Sequence, residues 1–390
     1  MVHAVSTVGG RVLDPRFAGI EDVFRENFSM GLESAGCSFA AFHNGKLVVD
    51  LWGGLANRET GQPWMEDTMS ILFSTTKSLA ATVLAVVMDQ EGVSYNRKLA
   101  EFWPEFAQNG KEDVTILNVV LHQAGVPYSE QMITKEDVLD WKRMSAYFER
   151  ATPIWKPGSQ TGYHALTFGF LIDQIVRRID SKKRGVNDIL KELTQTYDVP
   201  NLSIGLKHAD DNDRVATIHY PGELQIEAEG RRDPEALRRW KAGDNEHNKR
   251  LYQTWPWITT NDYNSFDNRL IPMPSNMGIG NARSLAQFHS LLAERKILSE
   301  GFYKHFEQPV LEDEFDHVIG YAENKGYGYQ FTKNPKGQWI FGHSGFGGQD
   351  VRVDVHNGLS YAYVCNGLKI ADADLVEPWK RMIDKLYSLL

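Results

Sequence analysis

The sequence predicts an α+β protein: an antiparallel sheet drawn from both ends of the chain and flanked by helices, with a mostly helical subdomain inserted between them. Three observations carry that prediction. Hairpin signals sit near the two ends, at Ser38–Trp52 and at Val351–Cys365. An amphipathic helix accompanies each of them. The long middle, from about Met69 to Leu298, reads as helices and loops instead of strands.

Taken in order, Asp14-Pro15 is a helix start, and Phe17, Ile20, Phe24 and Phe28 recur at helical spacing until Gly31. Ser38–Phe42 and Lys46–Trp52 read as strands around His43-Asn44-Gly45, where Asn-Gly supplies the positive backbone angles of a tight turn. Leu79, Ala80, Val83, Leu84, Val86 and Val87 make a broad apolar helical face closed by Gly92. Leu166–Ile179 and Leu285–Arg295 are later helices. The stretch Lys207–Pro274 is polar, charged and aromatic without steady periodicity, and reads as a long surface excursion of the kind that is usually functional. Val351, Val353 and Val355 then alternate with Arg352 and Asp354, Asn357-Gly358 turns the chain, and Leu359–Cys365 returns. Pro378 opens a last helix with the stripe Met382, Ile383, Leu386 and Leu390. The first and last helices are therefore expected to cover one face of the shared sheet.

The chain has 390 residues, 42% hydrophobic and 24% charged, enough for a large core. Its 42 Lys plus Arg against 51 Asp plus Glu give a net charge of -9, which argues against a nucleic acid or an anionic membrane as the main partner. No stretch approaches the apolar length of a membrane span. Two cysteines, Cys37 and Cys365, do not make a disulfide framework, and Met1–Gly10 lacks the order of a signal or transit peptide, so a reducing, cytoplasmic location is expected. Asn27-Phe28-Ser29 and Asn201-Leu202-Ser203 then read as accidental glycosylation matches.

Ser74-Thr75-Thr76-Lys77 stands at the head of the apolar helix. A lysine one turn after a serine lies beside its hydroxyl, and a neutral, desolvated amine there can take the serine proton while the helix N-terminus favours the alkoxide. A Ser-x-x-Lys arises about once by chance in a chain of this length. The helical context raises it above coincidence. Tyr163, between a Pro-Gly loop and a helix, could project into a cleft, although such a tyrosine is more often half-buried packing. The run Gly342–Gly348 reads either as a strand whose glycines let substrate approach the backbone or as a glycine-rich turn joining two strands.

Together these motifs, with Trp155-Lys156-Pro157-Gly158, Asp50–Gly54, Leu121–Gly125 and Gly278–Ala286, resemble the serine β-lactamase-related superfamily over Pro15 to Leu386. The resemblance is to its class C branch, and more closely to the family VIII carboxylesterases and the animal β-lactamase-like proteins. It implies a β-lactamase/transpeptidase-like fold in one catalytic domain, residues 15–386, with an α/β part at 15–66 plus 320–386 and a helical part at 67–319. It further implies Ser74 as acylated nucleophile, Lys77 as its base, Tyr163 as proton relay, and His343-Ser344-Gly345 as an edge strand lining the cleft. The backbone N–H groups of Phe346 and Ser74 would form the oxyanion hole. No metal or cofactor is implied.

Departures from the family pattern point to the substrate. Where β-lactamases and peptidases of the superfamily carry a lysine in the third motif this chain has His343, mostly neutral at pH 7. The asparagine usual two residues after the tyrosine is Ala165. Both changes weaken recognition of substrate carboxylates and amides, so a small-molecule ester is expected in preference to an amide or lactam. A non-catalytic scaffold or ligand-binding homologue and a β-lactamase or D-peptidase are the alternatives, and a homo-oligomer is compatible with each. The chain has no Gly-x-Ser-x-Gly elbow, and its 12 histidines and two cysteines show no metal-ligand spacing. Asp210–Asp213 resembles a calcium loop in charge only. Trp103, Trp155, Trp240, Trp255 and Trp257 could line the cleft, with core packing as their default.

Overall fold

A computed structural model describes residues 8–258 and 263–390. The first seven residues of the Met1–Gly10 segment, and residues 259–262 of the surface excursion, lie outside the described residues.

The two chain ends do build one antiparallel sheet. Its strands run in the spatial order Val8–Val12, Lys46–Asn57, Gly36–His43, Leu359–Cys365, Gln349–Asp354, Trp339–Gly345, Tyr329–Lys333, Tyr321–Gly326 and Leu311–Asp316. Asn44 and Gly45 turn the first hairpin with φ of 49° and 72°, the mirror-image turn that matches strand twist. The junction of the two ends is the pairing of Gly36–His43 with Leu359–Cys365, from His43 opposite Leu359 to Cys37 opposite Cys365.

Helices cover both faces of this junction. Asp14 caps the first turn by accepting the Arg16 N–H at 3.0 Å, Pro15–Phe17 forms a short 3-10 turn, and Ile20–Ser29 continues as α-helix. Its Ile20 and Phe24 join Trp379, Met382 and Leu386 of the last helix, Glu377–Ser388, against Phe39, Leu51, Tyr361 and Tyr363. Leu390 falls beyond that helix and is exposed. On the other face Ala282–Ala293 lies on the same strands. Because both faces are covered, Arg352 and Asp354 are as buried as Val351 and Val353. Arg352 pairs with Asp350 at 2.9 Å, and Asp354 accepts the Tyr387 hydroxyl at 2.6 Å.

Three expectations are corrected. The strand carrying His343 is interior, hydrogen-bonded on both sides; only its C-terminal end reaches the cleft. The range read as helical, 67–319, also holds Leu311–Asp316 of the main sheet and a small sheet of Ser70–Ile71, Gly278–Gly280 and Leu202–Ile204. The supposed excursion contains three consecutive helices, Glu223–Arg232, Pro234–Ala242 and Glu246–Thr254. They are held by caps and surface ion pairs. Asp233 caps the second and Asn245 the third, and Arg239–Glu235 at 2.9 Å and Arg250–Glu246 at 3.3 Å span their turns. Their apolar residues, Ile226, Ala236, Leu237, Trp240 and Leu251, are few and set among charged side chains, so the segment reads as polar.

Candidate active site

Ser74 stands between the small sheet and the most deeply buried helix of the chain. Ser70–Ile71 pairs with Gly278–Gly280, and the chain then turns through Phe73, a bulky residue at φ 45°. That conformation costs about 1–2 kcal/mol, and packing holds it: the Phe73 ring is buried 4.7 Å from that of Tyr263. The Thr76 hydroxyl donates to Phe73 O at 2.5 Å and accepts the Gly278 N–H at 2.8 Å, tying the turn to the sheet. Helix Thr76–Gln90 follows, so Ser74 sits just ahead of the helix and faces the cleft, while Thr76–Met88 are buried all round.

Lys77 is fully buried, and its Nζ donates to Ser74 Oγ at 3.1 Å, Ala165 O at 2.8 Å and Ser275 O at 3.0 Å. All three acceptors are neutral. Burial therefore pushes the amine pKa well below the usual lysine range. Ser275 is itself fixed, donating to Leu166 O at 2.5 Å and accepting the Gly169 N–H at 2.7 Å.

Tyr163 comes from the loop before helix Thr167–Ile179, and its ring centroid lies 4.8 Å from Lys77 Nζ. Burial raises its phenol pKa, and a hydrogen bond with the Ser74 hydroxyl offsets only part of that, so the phenol is neutral at pH 7. Behind it His164 N–H donates to His122 Nδ1 at 3.0 Å. His164 has a fixed tautomer: Nδ1–H donates to Gly162 O at 2.7 Å while Nε2 accepts the Val126 N–H at 3.0 Å. Burial holds both imidazoles neutral, His164 down to about 4.

The third motif arrives from the main sheet. His343 is buried, its Nδ1–H donating to Ser344 O at 2.6 Å, and its ring centre is 6.2 Å from that of Tyr163. Burial, reinforced by Lys77, pushes its pKa well below 6.5. Ser344 N–H and Oγ–H both donate to Gln330 Oε1 at 2.8 Å, and Gln330 Nε2 donates to Glu323 Oε1 at 3.0 Å. The motif's glycines also serve the protein's own packing, while Gly345 and Gly347 line the cleft. A Cβ on Gly345 would lie 2.5 Å from Leu72 O and 2.7 Å from Thr75 Oγ1, and one on Gly342 would meet Val351 O. The approach at Gly345 sets Phe346 beside the Phe73–Ser74 turn, its ring 5.6 Å from that of Phe73. Among the described residues, neither the Ser74 nor the Phe346 N–H is engaged in a hydrogen bond with the chain.

Ser74, Tyr163, Ser344, Gly345 and Phe346 line one cavity of about 610 Å³; Lys77 and His343 stand behind its wall. A partly open, mixed-polarity cavity of that size suits a small molecule. A beta-lactamase family model matches residues 24–382. The chain belongs to the beta-lactamase family. Its fold matches the crystal structure of a family VIII carboxylesterase with a TM-score of 0.84 at 28% identity, covering 98% of this chain and 100% of that one. A penicillin-binding protein homologue from Caulobacter crescentus aligns with a TM-score of 0.80 at 30% identity over 98% of this chain and 100% of that one. The esterase/beta-lactamase LipL of Mycobacterium tuberculosis is 34% identical over 229 residues, 58% of this chain and 52% of LipL, so the match spans about half that relative's length.

Several residues around the cavity of this beta-lactamase-family chain were not singled out in the sequence. Ser275, Gln330 and Glu323 belong to no motif, and Arg239, Leu251 and Tyr263 come from the stretch without periodicity. Of the five tryptophans considered, Trp240 lines the cavity; Trp103 and Trp255 are core, Trp155 packs beneath Gly162, and Trp257 bonds Ile133 O at 2.8 Å. Among the described residues no helix is long and apolar enough to cross a membrane.

Proposed function

We propose that this chain is a serine hydrolase that forms an acyl-enzyme on Ser74, a carboxylesterase acting on small acyl esters without metal or cofactor. The observation that carries the reading is the 3.1 Å contact between the Ser74 hydroxyl and a fully buried amine whose acceptors are all neutral. A carboxylate on Lys77 would hold it protonated; neutral carbonyls in a desolvated site favour its neutral, basic form. In the proposed sequence Lys77 takes the Ser74 proton as Oγ attacks the ester carbonyl. The N–H groups of Ser74 and Phe346 receive the oxyanion, each worth about 3 kcal/mol. The neutral Tyr163 phenol passes its proton to the departing alkoxide, and the phenolate is reprotonated by Lys77, which carries the proton taken from Ser74. A water then repeats the steps on the acyl-enzyme.

Ester is favoured over lactam or peptide because Ala165 offers no side-chain amide and His343 is buried and neutral, which leaves that motif without a cation for a substrate carboxylate. Two free cysteines directly opposed on neighbouring strands favour a reducing, cytoplasmic setting. A homo-oligomer stays a proposal, read by sedimentation. The deciding experiment is intact-mass detection of a phosphonyl adduct on Ser74, with 4-nitrophenyl butyrate hydrolysis compared between wild type and Ser74→Ala. Labelling and turnover confined to wild type support the reading; equal rates end it.

A further inference from the structure

One stretch of the cavity lining is aromatic and continuous from the nucleophile outward. Phe73, immediately before Ser74, meets the edge of Phe346 at 5.6 Å and 72°, and Phe346 stacks on Trp240 at 5.9 Å and 21°. Phe346 is 38% exposed, and the surface it exposes is cavity lining. A second stretch, Tyr163, Ser344, Gln330 and Glu323, is polar, its last three members joined by hydrogen bonds.

The helix bearing Trp240 is pinned in place. Arg239 binds Glu235 at 2.9 Å, lies 3.6 Å from Asp372 and covers the Tyr321 ring at 4.4 Å. Asn245, just after the helix, donates to Val318 O at 2.9 Å. Trp240 is therefore a fixed wall.

From this arrangement we propose that the Phe346–Trp240 stack bounds the acyl half of the cavity, making Trp240 the residue that limits acyl length. The inference rests on the hydrolase reading above and deepens it. The proton donor to the leaving oxygen must stand beside the alcohol, and in that reading the donor is Tyr163, on the polar stretch. The acyl group, held on Ser74, then extends along Phe73 and Phe346 until it ends at the Trp240 indole. Substrates are esters of short linear acids or of acids with one aromatic ring, which can lie against the stacked rings. Long linear acyl chains are excluded by the wall.

The test uses 4-nitrophenyl acetate, butyrate and octanoate, with one constant leaving group, and a second series of butyrate esters with varied alcohols. Wild type is expected to prefer butyrate over octanoate. Trp240→Ala is expected to raise the octanoate-to-butyrate ratio of kcat/KM by about tenfold or more, the scale at which an apolar pocket discriminates chain length, and to leave the alcohol series unchanged. Trp240→Phe, which keeps an aromatic side chain on the half-buried site, is expected to shift the ratio by about threefold in the same direction. An unchanged acyl ratio in active variants, or a shift confined to the alcohol series, overturns the wall while leaving the hydrolase intact. Equal rates for wild type and Ser74→Ala overturn both.

Discussion

The backbone N–H of Tyr163 donates to Oδ1 of Asp316 at 3.0 Å, and the same oxygen accepts the N–H groups of Val318 and Ile319 at 2.9 and 3.1 Å. The other carboxylate oxygen is bonded to the buried Lys325. One side chain thus fastens the loop of the proposed proton relay to the far end of the sheet.

Asp316→Ala should therefore both destabilise the chain and slacken Tyr163. Breaking a buried pair and leaving Lys325 short of a partner costs about 3–5 kcal/mol. Burial works against the Asp316 charge, but Lys325 and the three N–H donors outweigh it and hold the pKa below the usual aspartate value. A depressed folded pKa means the stabilisation is complete above the unfolded value of about 3.9 and is lost as pH falls through the folded one. Urea melts from pH 7 to 3 should show wild type losing more stability on acidification than Asp316→Asn. Parallel curves would refute the role.

The rising limb of the pH–rate profile should belong to Lys77. Its neutral form is the base, so kcat/KM climbs as pH rises through the folded lysine pKa and levels off well below pH 10.5. Lys77→Arg keeps the charge but cannot shed the proton, and should lower kcat by about 100-fold to 10,000-fold. A limb centred near 10.5, or an active arginine variant, would count against the assignment.

Selectivity should ignore His343 titration. Because burial pushes that imidazole well below 6.5, no cation forms there as pH drops from 7.5 to 5.5. Turnover of a carboxylate-bearing cephalosporin relative to 4-nitrophenyl butyrate is expected to be low and flat across that interval. A rise on the acid side would show a protonated His343 gripping the carboxylate.

Gly345→Ala should damage catalysis more than stability. The added methyl would sit 2.5 Å from Leu72 O and 2.7 Å from Thr75 Oγ1, so the turn bearing Phe346 must retreat from the nucleophile. Displacing one oxyanion donor lowers kcat by about 100-fold. The measurement is kcat on 4-nitrophenyl butyrate alongside a thermal melt. Unchanged kcat in a folded variant would remove Phe346 from the proposed oxyanion hole.

The sheet was legible wherever local chemistry forces it. Asn44-Gly45 dictates its turn, Asp14-Pro15 starts the capped 3-10 turn that leads into the first helix, and the valines at 351 and 353 mark a strand. What the letters concealed was long-range or electrostatic. Nothing near Gln330 or Glu323 says that they stand behind Ser344, because that placement is a matter of strand register. The helix of Trp240 is short and mostly charged, so its apolar residues Ala236, Leu237 and Trp240 do not stand out in the sequence. The Ser74–Lys77 contact follows from helical spacing, but the supporting carbonyls of Ala165 and Ser275 come from distant segments. The strand of His343 looked like an edge because its partner Tyr329–Lys333 was not recognised as a strand.

Ser74 and Phe346 line the same cavity, and Phe346 follows the strand Trp339–Gly345, which is joined through Gln349–Asp354 and Leu359–Cys365 to Gly36–His43. A ribosome-bound chain that has emerged only through helix Thr76–Gln90 holds Ser74 and Lys77, yet has neither Phe346 nor the strands that deliver it. On the proposed reading, Ser74 gains its second oxyanion donor only once the strand Trp339–Gly345 has been made, and a product truncated before that strand would lack it.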